Sequence, residues 1–443
     1  MLQAGINPIA CLFLLIAIVV ILRSSRQVAV GCFLVSAAII PLGQQILVPP
    51  LHLYFLRILI LVVIIRIFID KEKPKFTLNK IDRLVIYMYA IQTVCGTLRG
   101  PNLELFGNAF NALGSYFGIR ILSSSFNDIK VHLKYMAVIA IIVGSVMTVE
   151  RVTHRNPFFV LGGVPEFSEI RDGKIRCQGP FRHPILAGTF GATLFPMLVG
   201  LWMVERRYRI ILYFAIPASI LIAFNATSSG AVLTLLSAVA GFALWPMRYR
   251  MKLFRWIVVI FLTILGFNMK VPIWWIIAKI SDLVGGGGWH RSYLIDVAIN
   301  HFSQWWLIGT SYTANWAPSG LVLLVDPNNM DITNQYIVEG VAGGIWEFCL
   351  FLALIAGCFK IVGQLIHQRE LAKISPKLSW TLGIALAGHC TAFISISYFD
   401  QIIVFWFWLL AVISSTSESL KTSENSVIIP ESNEFALARG ELR

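Results

Sequence analysis

From Pro184 to Val204 the chain reads PILAGTFGATLFPMLVGLWMV, a stretch without a charged side chain. About 20 mostly apolar residues suffice for a helix to cross a membrane, and lipid offers no partner for backbone N–H and C=O groups outside a helix. The same pattern predicts about thirteen spans, which start near residues 5, 28, 51, 84, 104, 133, 184, 209, 230, 253, 334, 379 and 402. The predicted fold is therefore an all-α polytopic membrane protein with about 12–14 transmembrane helices.

The composition of the whole chain agrees with this fold. It has 443 residues, of which 57% are hydrophobic and 13% are charged, whereas soluble domains are about 45–50% apolar and about 25% charged. These values exclude a soluble globular protein, a disordered chain and a disulfide-stapled secreted module. The formal net charge of +13 is explained by the Lys and Arg that keep loops on the cytoplasmic side, so we expect no nucleic-acid partner.

The basic residues also predict the orientation in the membrane. Alternate threading places about 20 Lys and Arg on one side and about 10 on the other, so the positive-inside rule puts the N-terminus outside. We predict a single transmembrane domain over residues 1–416, with extracytoplasmic loops at about 150–183 and about 270–333. The polar residues 417–443 are predicted to form a disordered cytoplasmic tail.

The first extracytoplasmic loop contains more basic residues than this rule predicts. They are Arg151, Arg155, Arg171, Lys174, Arg176 and Arg182. An anionic ligand at this face would require them, because guanidinium groups bind phosphate bidentately. The alternative is a solvated loop whose charges have no ligand.

The sequence of the second extracytoplasmic loop predicts an amphipathic helix from Trp289 to Trp306. Its apolar residues recur at helical spacing; they are Trp289, Tyr293, Leu294, Val297, Ala298, Phe302 and Trp305. Another face holds Arg291, Ser292, Asp296 and Asn300. Such a helix is expected to lie at the membrane interface with its polar face towards the ligand, or to cap the end of the bundle.

Three segments together resemble the O-antigen ligase/polymerase superfamily of bacterial envelope glycan enzymes. The first is RCQGPFRHP from Arg176 to Pro184. The second is RSYLIDVA from Arg291 to Ala298, followed by WLIGT from Trp306 to Thr310. The third is DITNQYIVEG from Asp331 to Gly340, followed by Gly343 and Gly344. The resemblance covers roughly residues 160–365.

The resemblance implies a glycosyltransferase of the bacterial inner membrane that acts at the outer face of that membrane. Its donor would be a polyprenyl-pyrophosphate-linked oligosaccharide, and its other partners would be membrane lipids and envelope-polysaccharide assembly proteins. Thr333 stands where ligases of this family have His, and Ser228-Ser229-Gly230 stands where Ser-Arg-Gly is common. The first difference favours a polymerase of lipid-linked repeat units over a ligase that attaches glycan to lipid A–core.

The site residues follow from the charge of the leaving diphosphate. The outer loops contain no convincing carboxylate cluster for a divalent cation, so we expect neither a metal nor a cofactor and assign charge neutralisation to arginines. The pyrophosphate clamp is predicted to be Arg176, Arg182 and Arg291. The candidate bases and acids are His183, Asp331 and Glu339, with His290 as a further candidate.

The acceptor or glycan is expected to contact Thr333, Asn334, Tyr336 and His290. Structural roles remain open for several of these residues. His183 stands before Pro184 at a span entrance, and Asp331 stands at a helix start signal. Gly340, Gly343 and Gly344 fit close helix packing better than chemistry.

Two other classes of protein fit the same residues. A secondary transporter of an anionic solute would also need cations at the outer face, although no matched pair of broken segments is visible in the sequence. The absence of the family His at Thr333 would also fit an inactive scaffold within an envelope-polysaccharide complex.

Overall fold

The computed structural model describes residues 6–41, 44–48, 51–69, 76–100, 102–123, 125–283, 288–317, 328–367 and 375–418. Helices form about four-fifths of this part of the chain. The first half contains α1 (Pro8–Arg23), α2 (Arg26–Ile39), α3 (Phe55–Ile69), α4 (Lys80–Arg99), α5 (Leu103–Leu122), α6 (Phe126–Thr153), α7 (Pro184–Val204) and α8 (Arg209–Asn225). The second half contains α9 (Ser229–Ala243), α10 (Met251–Asn268), α11 (Ile276–Leu283), α12 (Gly288–Asn300), α13 (Phe302–Trp305), α14 (Gln335–His367), α15 (Pro376–Ala392) and α16 (Gln401–Glu418).

A helix begins close to each of the predicted span starts. Six helices are long and apolar enough to cross a membrane: Phe126–Thr153, Pro184–Val204, Arg206–Asn225, Trp245–Asn268, Gln335–His367 and Gln401–Glu418. Three shorter apolar helices are α1, α2 and α9. The protein is thus helical with several candidate membrane spans, and the predicted count of about 12–14 spans stays a prediction.

Two short β-hairpins, which the sequence analysis did not predict, interrupt the otherwise helical fold. Strand β1 (Gln45–Val48) pairs antiparallel with β2 (Leu51–Tyr54), and β3 (Glu169–Arg171) pairs antiparallel with β4 (Lys174–Arg176). Asp172 and Gly173 join the second pair with φ values of 51° and 69°, as Asp-Gly does in the tight turns of hairpins. Screening the sequence for long apolar runs misses such short strands.

Several predicted segments fall partly outside the described residues. α16 continues through Glu418, so the first two residues of the predicted tail are helical, and the rest of it, 419–443, lies outside the described chain. Within the second predicted loop, 284–287 and 318–327 also lie outside it.

Helix α7 lies at the centre of the bundle. In its most apolar window 83% of the residues are buried, and α7 packs against α6, α8, α9 and α15. Small residues permit this close approach: a Cβ on Gly191 would lie 2.5 Å from the backbone oxygen of Ser219 in α8. In contrast, the candidate span that contains α10 has none of its window residues buried by the described chain.

Helix α14 is broken near its start, and the break is filled by another segment. Gly343 (φ −139°, ψ 20°) and Gly344 (φ 73°, ψ −165°) are non-helical. The turn after α13 docks there, because the Ile345 N–H donates to the Trp306 carbonyl at 2.8 Å and the Thr310 N–H donates to the Val341 carbonyl at 2.9 Å. The second and third sequence motifs therefore pack directly against each other.

We expect Gly344→Ala to lower the thermal stability of the purified protein. Positive φ with extended ψ, a region essentially restricted to glycine, alone costs a residue with a Cβ about 1–3 kcal/mol, and the added Cβ would lie 2.5 Å from the Leu307 carbonyl oxygen. Thermal unfolding followed by intrinsic fluorescence measures the effect. Gly363→Ala is the matched control in the same helix, because a Cβ there meets no atom within 4 Å. Equal stability of the two variants would contradict the docking of the turn.

Candidate functional site

The segment between β4 and α7 is held by a buried carboxylate at the end of α6. The side chain of Glu150 is 0% exposed. It accepts hydrogen bonds from the backbone N–H of Gln178 at 3.1 Å, the backbone N–H of Gly179 at 2.9 Å and the Ser168 hydroxyl at 3.0 Å. A carboxylate satisfied in this way fixes the backbone path of the loop. The first sequence motif therefore has one defined conformation.

The same segment is tied to the ends of two further helices. The Cys177 N–H donates to the Asn225 carbonyl at the end of α8 at 3.0 Å. The Gln401 amide at the start of α16 donates to the Pro180 carbonyl at 2.7 Å. The loop therefore lies across one end of the helix bundle, which we call the site end.

Arg176 is buried and is paired with a carboxylate. It is 6% exposed, and its Nη1 lies 2.8 Å from Oε1 of Glu169, its cross-strand neighbour in the β3–β4 hairpin. Glu169 itself is exposed. An anionic ligand of Arg176 would thus have to share the guanidinium with Glu169 or displace it.

Arg182 contacts a different part of the protein. Its side chain is exposed, and Nη1 lies 3.5 Å from Oδ2 of Asp400, next to the start of α16. Burial raises the pKa of Asp400, and Arg182 opposes that rise. The contact of Arg182 in the described chain is thus to the start of α16, and its place in the predicted clamp stays a prediction.

His183 caps the start of α7. Its Nδ1 accepts the Ile185 N–H at 3.2 Å, which leaves the ring hydrogen of the neutral imidazole on Nε2. Burial and the charge of Arg176 lower the pKa of His183, whereas Glu169 and Asp331 oppose this shift. A neutral ring with Nδ1 already engaged donates a hydrogen bond from Nε2 and is poorly suited to accept a proton. The role of a general base, predicted for His183, therefore fits it less well than the role of a donor.

Arg291 connects α12 to the start of α9. It is 8% exposed, and its Nη2 donates to the Ser229 hydroxyl at 2.9 Å. Burial lowers the pKa of Arg291 from its ordinary value. A Cβ on Gly230 would lie 3.4 Å from Cδ1 of Ile185, so the start of α9 adjoins the start of α7 and His183.

Asp331 is the carboxylate that the two histidines share. It is exposed and raises the pKa of both His183 and His290. Burial is the largest influence on His290 and, together with Arg291, lowers its pKa. The site end of the bundle thus brings together residues from all three motifs, namely Arg176, His183, His290, Arg291 and Asp331. We call these five residues the convergent site.

The remaining residues of the third motif face into the protein. Asn334 is buried and accepts the Ile337 N–H at 3.2 Å as a helix cap. The Tyr336 hydroxyl donates to the Cys390 carbonyl at 3.0 Å, and Glu339 accepts the Gln335 amide at 2.6 Å. These contacts fix the start of α14 within the protein, and contact of Asn334 and Tyr336 with a glycan stays a prediction. Thr333 is half-buried, beside the Asn334 cap.

The helix predicted in the second loop is present as α12 and α13. Leu294, Val297, Ala298 and Trp305 are buried as predicted, whereas Trp289 and Phe302 are exposed. Arg291 and Ser292, predicted on a polar face, are also buried, and Asp296 accepts hydrogen bonds from the indole N–H groups of Trp274 and Trp275. These contacts fit a helix that caps the end of the bundle. Its location at a membrane interface stays a prediction.

Two residues important to the site were missed by sequence reasoning. Glu150 gave no signal, because a single acid at the end of an apolar run does not reveal which loop amides it binds. Ser229 was noted only as a departure from the family pattern, although its hydroxyl is where Arg291 binds. In the described part of the chain no group of three or more His, Cys, Asp or Glu side chains could hold a metal ion.

The resemblance to a known family rests on the three motifs alone. No protein-family model matches the chain, and no curated protein matches it. The arrangement of the convergent site is an observation independent of that resemblance.

We expect Glu150→Ala to release the loop amides that Glu150 holds. A hydrogen bond to a charged group contributes about 1.5–3 kcal/mol, so hydrogen–deuterium exchange at Gln178 and Gly179 should accelerate about tenfold or more. Glu166→Ala is the control, since Glu166 pairs only with the exposed Arg155 through its side chain in the described chain. Unchanged exchange in Glu150→Ala would show that other contacts define the loop.

Proposed function

We propose that this protein is a membrane glycosyltransferase of the O-antigen polymerase type. It transfers a polyprenyl-pyrophosphate-linked glycan to a sugar hydroxyl at the outer face of a bacterial inner membrane. The observation that supports this most directly is the convergence of Arg176 and Arg291 with His183, His290 and Asp331 at one end of the bundle. Guanidinium groups beside a carboxylate and two imidazoles are the groups that transfer from a diphosphate requires.

The two arginines would stabilise the departing diphosphate. As the glycosidic carbon is attacked, negative charge develops on the leaving oxygens, and fixed cations lower the barrier by stabilising it. Arg291 is partly desolvated, and its Nη2 bonds to the neutral hydroxyl of Ser229. Arg176 would exchange its bond to the exposed Glu169 for one to phosphate.

Asp331 is the proposed base for the acceptor hydroxyl. It is the exposed carboxylate of the convergent site, and it stands two residues before Thr333, where ligases of the family have His. His183 would donate a hydrogen bond from Nε2, which suits an anionic oxygen of the donor. His290 and Thr333 would contact the acceptor.

We expect Arg291→Ala to lower the rate of transfer by about 100-fold to 1,000-fold, which corresponds to about 2.7–4 kcal/mol for one lost fixed donor. Arg291→Lys should recover little, because a lysine lacks the planar fork. The measurement uses reconstituted protein, lipid-linked repeat units and gel separation of the product. Arg155→Ala is the control, since Arg155 lies in the first loop and pairs with Glu166 instead.

The same gel assay distinguishes a polymerase, a ligase and an inactive scaffold. A ladder of products supports a polymerase, and a single shift that depends on added lipid A–core supports a ligase. Wild-type rates in both Arg176→Ala and Arg291→Ala would refute the clamp. No turnover by folded wild-type protein would favour an inactive scaffold.

A secondary transporter of an anionic solute is the second candidate. The broken helix α14 favours it, because Glu339 and Glu347 are buried beside non-helical backbone, an arrangement found at transporter binding sites. Uptake of an anionic solute by vesicles that contain this protein alone, without glycan transfer, would support this function over the first.

A further inference from the structure

Two carboxyl groups meet inside the bundle at the break in α14. Glu339 is 4% exposed and Glu347 is 0% exposed. In a straight α-helix, residues eight positions apart are separated by about 12 Å along the axis. The helix is broken between them by the non-helical Gly343 and Gly344, and the two buried carboxyl groups interact electrostatically.

The contact leaves no space for a larger residue at the break. A Cβ on Gly343 would collide with Oε2 of Glu347. Neither carboxyl oxygen of Glu347 receives an N–H or O–H hydrogen bond from a basic, amide or hydroxyl group of the described chain. Glu339, in contrast, is also bonded to the Gln335 amide. Glu347 is thus a fully buried polar group whose carboxyl is directed at a second carboxyl.

Only one side of the pair faces a cation. The titratable groups of the described chain that face it come from α4 and are Tyr89, Cys95 and Arg99. Arg99 is within electrostatic range of Glu347 but makes no ion pair with it in the described chain. Its Nη1 instead donates to the carbonyls of Ile308 and Val341.

We propose that Glu339 and Glu347 bind a single proton between them. Two adjacent buried carboxyl groups can bind each other through a hydrogen bond only if one of them carries a hydrogen. With one proton the pair has a charge of −1, which Arg99 balances, so the buried cluster is neutral. Without the proton two anions would lie in contact with one cation nearby, an arrangement that is strongly unfavourable in surroundings of low dielectric constant. The proton comes from a hydronium ion of the solvent: one O–H bond of that ion breaks, a new O–H bond forms at one carboxylate oxygen, and a water molecule is left.

Binding of this proton is coupled to the second sequence motif. Arg99 both balances the pair and binds the Ile308 carbonyl in the turn that docks at the break. That turn follows α13, which is joined to α12 and Arg291. Loss of the proton would pull Arg99 towards the carboxylates and away from the turn.

Infrared spectroscopy of the full-length protein tests the proposal without any glycan substrate. In a detergent free of ester carbonyls, the wild-type protein at neutral pH should show the carbonyl stretch of a protonated carboxylic acid. Both Glu339→Gln and Glu347→Gln should lose that band, because the new amide supplies the hydrogen and the remaining carboxylate ionises. Glutamine has the shape of the protonated acid, so we expect both variants to fold, as thermal unfolding will verify.

Glu104→Gln is the matched control, because Glu104 lies exposed at the start of α5, and the band should be unchanged in it. Absence of the band in the wild-type protein would overturn the proposal. So would a band that persists in either Glu339→Gln or Glu347→Gln, since the proton would then belong to one group alone. Each result is independent of whether the protein transfers glycan.

Discussion

Polar groups in apolar surroundings must be paired, and the break in α14 is where this constraint is most demanding. A helix interrupted by Gly343 and Gly344 exposes backbone groups that lipid cannot satisfy. The turn after α13 supplies the Trp306 carbonyl, and Arg99 binds the Val341 carbonyl. The two glycines therefore allow this turn to pack against α14. The contacts of the turn and of Arg99 connect α4, α13 and α14 into one unit that supports the site end.

The charged side chains at the site end are also paired with polar groups of the protein. Arg176 is paired with Glu169, Arg182 is paired with Asp400, and Arg291 bonds to Ser229. These three partners differ in what they leave for a ligand. Glu169 and Asp400 are carboxylates that compensate the charges of Arg176 and Arg182, whereas Ser229 is a neutral hydroxyl. Binding at Arg176 is therefore a competition between the ligand and an exposed carboxylate.

Hydropathy alone predicted where the helices begin, because an apolar run of sufficient length has few other outcomes in lipid. It failed at the β3–β4 hairpin, although Asp172-Gly173 is a recognisable turn signal. The motifs predicted that Arg176, His183, Arg291 and Asp331 belong to one site. Sequence could not show that Tyr336 packs inward or that Glu150 holds the loop, because those outcomes depend on contacts between residues distant in sequence.

Helix α10 has a consequence for the side of the site that carries Arg291. The described chain buries none of the residues in the apolar window of its candidate span. In a bilayer such a helix would be covered by acyl chains on those faces, and its tilt would follow the thickness of the hydrocarbon layer. In the sequence α10 is followed by α11 and then by α12, which carries Arg291, so a change of that tilt would act on the Arg291 side of the site.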